Sequence, residues 1–181
     1  MKELTKEWIA EKLKELMKKK SLDKIRITEL CALAEIDRTT FYYHFRDKAD
    51  LVAWIFYEDA FQTNILDLRN AAESLKRTKE NYIFFKRAFE DFSQNPLWRY
   101  MQEYYSGRYM ELAKAHLGTD TLDEQIIFSI RMYSYGTIAM SQDWILSNSA
   151  VPAEREAAMM FASMPELLKE IFAPTAQQPG A

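Results

Sequence analysis

The stretch EIDRTTFYYHFRDKADL, residues 35–51, gathers hydrogen-bonding side chains into a segment of about two helical turns. Arg38 carries a guanidinium fork that matches guanine O6 and N7. Thr39 and Thr40 can reach a phosphate or a thymine methyl, and Tyr42, Tyr43 and His44 can donate to phosphate oxygens. Lys48, at the first turn of the next expected helix, sets a cation beside backbone amides, an arrangement that clamps phosphate. Thr28, at the start of the preceding helix, completes the DNA-facing set. Read structurally instead, the same stretch is a small solvated helix whose Tyr rings pack sideways. Bond-making chemistry has no such support. The sequence holds no Ser-His-Asp set, catalytic carboxylate pair or phosphate loop, and it has only 4 Gly, so no enzyme activity is expected. His116 is the one His of the second half and has no His or Cys at ligand spacing; it reads as a surface residue near a helix end, and neither metal nor cofactor is expected.

Recognition of this kind needs rigid presentation. Asp37 is placed to cap the helix that carries Arg38, with Ile36 and Phe41 at the two positions of a hydrophobic staple, and Phe41 and Phe45 then anchor the helix inward. Before it, Ile27-Thr28 reads as an apolar residue and an N-cap opening a helix through Ala34, with Leu30 and Cys31 inward. A first helix, Thr5 to Lys19, puts Ile9, Leu13, Leu16 and Met17 on one face. Asp47 caps a long fourth helix with Asp50 at N3 and Leu51, Trp54, Ile55, Phe61, Ile65 and Leu68 on its apolar side. Two short helices within residues 27–46, packed on a first, have the arithmetic of a helix-turn-helix.

Apolar residues make up 48% of the 181-residue chain and recur at helical spacing almost throughout, with 4 Gly and 5 Pro as interruptions, so the expected fold is all-α. The apolar run around Ile126 to Ile130 is far short of the roughly 20 residues that cross a bilayer. A single cysteine, Cys31, excludes an internal disulfide framework and points to a reducing cytoplasm. The net charge of −3 is unevenly spread: residues 1–54 hold 12 Lys and Arg against 10 Asp and Glu, a net of +2, while the rest holds 12 against 17, a net of −5. A polyanion is therefore directed to the N-terminal third.

IRITELCALAEIDRTTFYYHFRDKADLVAWIF, residues 25–56, resembles the N-terminal domain of the TetR family of bacterial transcriptional regulators, with Thr40, Phe41, Tyr42, Phe45, Lys48 and Leu51 in register. The resemblance is specific over residues 5–57. It implies a homodimer whose recognition helices enter successive major grooves of a palindromic operator, and a C-terminal domain that binds a small effector. The stretch YGTIAMSQDWI resembles the family's penultimate helix. One departure stands out: Glu35 occupies the turn where the family carries Gly, a position that needs positive φ, and its negative charge lies near the recognition helix.

Residues 1–50 are thus expected to form the DNA-binding domain, residues 51–173 a helical effector-binding and dimerisation domain, and residues 174–181 a disordered tail. In the second region Tyr82, Phe85, Phe89 and Phe92 form a stripe, Asn95 caps and Pro96 starts the next helix, and Thr121 with Glu124 makes a capping box for a helix to about Ser147. A last helix, Pro152 to Phe172, is expected to kink at Pro165. These last two helices carry surplus apolar faces and are the expected dimer interface. Tyr104, Tyr105, Phe128, Met132, Tyr135 and Met140 are the expected lining of an effector pocket. The expected function is that of a dimeric repressor relieved by a small molecule. The alternative is a co-regulator of the same fold that acts through protein contacts of its acidic C-terminal half.

Overall fold

Apolar residues three and four apart turn this chain into helices, each burying the face those residues share. The computed structural model describes residues 2–60, 65–91 and 96–172. Among the described residues there is no strand, and the α-helices in chain order are α1 Lys2–Lys19, α2 Ile27–Ala34, α3 Arg38–His44, α4 Lys48–Ala60, α5 Leu68–Glu80, α6 Tyr82–Phe89, α7 Leu97–Leu117, α8 Glu124–Leu146, α9 Ala153–Ala162 and α10 Glu166–Phe172. A 3-10 turn at Leu22–Lys24 joins α1 to α2.

The N-terminal unit is built around α1, whose Ile9, Leu13, Leu16 and Met17 are all buried, and which packs on α2, α4 and α6. Trp8 Nε1 donates to the Ala34 carbonyl at 3.0 Å and so ties α1 to the last turn of α2. Helix α2 begins two residues earlier than an N-cap at Thr28 implied: Arg26 is the N-cap, and Thr28 stands exposed in the first turn. Its end is set by Glu35, which adopts the left-handed conformation at φ 55° and ψ 39°. There the Ile36 N–H donates to the Cys31 carbonyl at 3.0 Å, closing the helix and reversing the chain into α3. A side chain with a Cβ pays roughly 1 kcal/mol for that conformation. Glu35→Gly is therefore expected to raise the urea midpoint by the equivalent of about 0.5–1 kcal/mol, with unchanged m-value; a lower midpoint would show that the Glu35 side chain is itself stabilising.

Farther along, several boundaries differ from the sequence expectations, each for a local reason. The fourth helix does not run through to Leu68. It ends at Ala60, and α5 starts anew because Asp67 Oδ1 accepts from the Arg69 N–H at 2.8 Å and the Asn70 N–H at 3.2 Å. The cap of α8 is Asp123, accepting from the Gln125 N–H at 2.8 Å, and not Thr121, because an aspartate two residues closer to the helix takes the orphan donor first. Pro165 does more than kink the last helix. It splits it into α9 and α10, since it lacks an N–H for the Phe161 carbonyl; its own carbonyl accepts from the Leu168 and Lys169 N–H groups at 2.9 and 3.0 Å. Pro96 stands at the N-cap of α7 instead of its first turn. Phe61, Phe92, Asn95 and residues 174–181 lie outside the described residues.

One buried cluster runs from Leu13, Leu30 and Phe41 through Leu51 and Phe56 to Phe85, Met101 and Trp144. Contacts of α1 with α6 and of α4 with α7 carry it across. The helix-turn-helix is thus mounted on the bundle through a shared core.

Candidate nucleic-acid interface and internal cavity

The geometry of α3 begins with its cap. Asp37 Oδ1 accepts from the Thr40 N–H at 2.6 Å, and that bond holds the carboxyl below the usual carboxylate range. Phe41 is 0% and Phe45 3% exposed, their rings 5.9 Å apart, and Phe45 meets Trp54 of α4 at 5.8 Å. Ile36 packs on the same core and completes the expected staple. With one face locked, the other is presented: Arg38, Thr39, Tyr42 and Tyr43 are exposed, while Thr40 and His44 are half-buried. Arg38 Nη2 donates to the Tyr42 hydroxyl at 3.5 Å, and its guanidinium carbon lies 5.7 Å from that ring's centre, so the pair four apart props the fork away from the helix axis. Tyr43 and His44 meet edge to face at 5.0 Å.

Lys48 is differently employed. Its ammonium donates to the Leu22 and Ile25 carbonyls, both at 2.6 Å, and burial holds it below the ordinary lysine value. It fastens the start of α4 to the turn that leads into α2. Arg46, two residues past the end of α3 and absent from the expected set, is the more exposed cation; its guanidinium pairs with Asp50 at 3.1 Å and its backbone N–H donates to the same carboxylate at 2.9 Å. Its adjacency to the recognition helix was the available signal.

A cavity of about 100 Å³ lies among α4, α5, α6, α7, α8 and α9, and every described residue lining it is uncharged. Its walls are apolar except for hydroxyls, among them Ser74, Thr78, Tyr105, Thr137 and Ser141. Of the six residues expected to line an effector pocket, Tyr105 alone faces this cavity. Tyr104 packs on Phe56 and Tyr57 at 5.7 and 5.6 Å between ring centres. Phe128, Met132, Tyr135 and Met140 stand on the outward flank of α8, and Met132 and Met140 line a separate open groove between α8 and α9. The reason is that α8 is apolar on most sides, so periodicity does not tell which flank faces in. The usable signal was a different one: Ser74 with Thr78, and Thr137 with Ser141, are hydroxyls four apart on otherwise apolar faces.

Comparison with known proteins adds an independent line. Residues 9–55 match the family profile described as "Bacterial regulatory proteins, tetR family", and residues 71–166 match the one described as "Transcriptional regulator C-terminal region". The protein named "HTH-type dhaKLM operon transcriptional activator DhaS" of Lactococcus lactis subsp. lactis is 29% identical over 98 residues, which cover 48% of this chain and 49% of that one. The chain thus spans about half the length of that relative. A solved structure, "Dihydroxyacetone kinase operon activator DhaS", shares the fold with a TM-score of 0.62 at 19% identity, over 92% of this chain and 94% of that chain.

Proposed function

From the premise that this chain belongs to the TetR family of bacterial transcriptional regulators, we propose that it acts in the cytoplasm as a homodimer on a palindromic operator and responds to a small effector. In this reading residues 1–50 bind DNA, and residues 51–173 hold the effector and the dimer interface. The observation that carries it is the two-faced build of α3: Phe41 and Phe45 are locked in the core while Arg38, Thr39, Tyr42 and Tyr43 face out. Arg38 reads a base edge; Thr28, Thr39, Thr40, Tyr42, Tyr43 and His44 position the helix on phosphates or a thymine methyl. Dimerisation is supported by the outward apolar flank of α8, since contiguous exposed apolar surface marks an interaction site. Two copies of α3 must stand about 34 Å apart to read one face of DNA, so a small rearrangement of the bundle around the cavity suffices to release the operator.

As a repressor, the dimer needs only to occupy promoter DNA. The DhaS proteins to which it is similar are named activators, and that observation favours a second reading in which the bound dimer raises transcription. In vitro transcription from a template bearing the selected operator separates the two by the sign of the change.

Selection of random duplexes by the full chain at near-physiological salt tests the core of the proposal. Enrichment of a palindrome is expected. Arg38→Ala should blur the preference at one position of each half-site at a cost of about 2 kcal/mol. Recovery of no sequence preference by the wild-type chain would contradict operator recognition.

A further inference from the structure

The proton bookkeeping of the cavity hydroxyls says what the cavity accepts, and this inference rests on the effector reading above. The Thr78 hydroxyl donates to the Ser74 carbonyl at 2.9 Å, and the Ser141 hydroxyl to the Thr137 carbonyl at 2.9 Å. Thr137 Oγ1 lies 3.0 and 3.1 Å from the Tyr133 and Ser134 carbonyls. The Tyr133 hydroxyl donates to the Met160 carbonyl at 3.0 Å. Each of these oxygens has its proton committed to the protein and retains lone pairs. The Ser74, Tyr105 and Tyr109 hydroxyls, which also line the cavity, can donate as well as accept. Among the described residues the wall therefore offers seven hydroxyl acceptors against three hydroxyl donors.

Charge is excluded by a separate fact. Among the described residues no Lys, Arg, His, Asp or Glu lines the cavity, so an ionised ligand would enter without a counter-ion from them, at a desolvation cost that a few hydroxyls do not offset. Burial pushes the Tyr105 and Tyr133 hydroxyls up to about 12, as expected of surroundings that resist a negative charge. Size sets the last limit. A volume of about 100 Å³ is below the roughly 150 Å³ of an apolar cavity that takes benzene.

We infer that this cavity takes a small, uncharged hydrogen-bond donor no larger than a five-membered ring, such as a short alcohol or an N–H heterocycle, and rejects carboxylates and ammonium ions of the same size. Binding to the full chain is measured by protein-observed NMR titration at pH 7 with four probes: pyrrole, furan, butyrate and pyrrolidinium. Pyrrole and furan match in shape, and only pyrrole donates a hydrogen bond. The expected result is saturable binding of pyrrole, with furan about tenfold weaker and the two ions unbound. Thr137→Val removes an acceptor while conserving volume; it should weaken pyrrole about tenfold and leave furan unchanged, and Thr78→Val gives the same comparison from the opposite wall should the first variant fail to fold. Furan binding as tightly as pyrrole, or butyrate or pyrrolidinium binding more tightly, would overturn the assigned class while leaving the cavity as the effector site. Binding of none of the four would sink both the class and the effector reading.

Discussion

A chain carrying Phe128→Asp together with Met132→Glu is expected to be a folded monomer that has lost operator affinity on the order of a thousandfold. Phe128, Met132, Tyr135 and Met140 are 65%, 58%, 46% and 51% exposed in the single chain, too much apolar surface on one helix flank to be left in water without a partner. Around a twofold axis each of these side chains is buried twice, and full burial of one large apolar side chain contributes about 1.5–3 kcal/mol. Two carboxylates per chain on that flank would have to shed their water against like charges on the other copy, which costs several kcal/mol. Neither Phe128 nor Met132 belongs to a buried cluster, so the monomer should keep its helix content and its melting temperature to within the effect of an ordinary surface change. DNA affinity falls because each monomer then binds one half-site alone, without the effective concentration that its twin supplies. Light scattering and an operator titration read the two effects together. A double variant that stays dimeric would place the interface elsewhere, and a wild-type chain that is monomeric while binding the operator at full strength would remove the dimer.

The same flank of α8 shows where sequence reading stopped. The N-terminal unit was legible because local signals agree there. Asp37 sits three residues before the Thr40 amide it caps, Phe41 and Phe45 share a face, and Glu35 falls at the one backbone position that demands positive φ. In α8, Ile130, Ser134, Ile138 and Ile145 turn inward while Phe128, Met132 and Met140 turn out, and nothing in their types separates the two sets. Only the neighbouring helices decide, and their placement is a tertiary fact. Helix ends failed for a narrower reason: two cap-competent residues, Thr121 and Asp123, lie within one turn, and the better acceptor won. The break before α5 was hidden because apolar spacing runs on through Ile65 to Leu68 in sequence, although residues 65–67 are not helical. Lys48 has two readings for a reason of chemistry. An ammonium near a helix start suits a phosphate, but it suits two backbone carbonyls equally well, and type and spacing cannot tell these apart.

Lys48→Met is accordingly expected to destabilise the fold by about 3 kcal/mol while leaving the salt dependence of DNA binding unchanged. Methionine keeps the length and packing of the stem but cannot donate, so the Leu22 and Ile25 carbonyls each lose a charge-assisted hydrogen bond of 2.6 Å, at about 1.5 kcal/mol apiece. The connection between α1 and α2 then loosens from the start of α4, and DNA affinity falls alike for all sequences because the helix-turn-helix is less well ordered. A phosphate-bound lysine makes the opposite pattern: stability is nearly unchanged, and the slope of log affinity against log salt becomes shallower by about 0.9 as one fewer counter-ion is released. Urea denaturation and an operator titration at several salt concentrations separate the two, and a shallower slope with unchanged stability would return Lys48 to the DNA interface. The geometry argues for the first pattern. With two of its three N–H groups held by carbonyls and its charge already disfavoured by burial, the Lys48 ammonium could turn to a phosphate only by releasing the turn that leads into α2, the helix that braces the recognition helix.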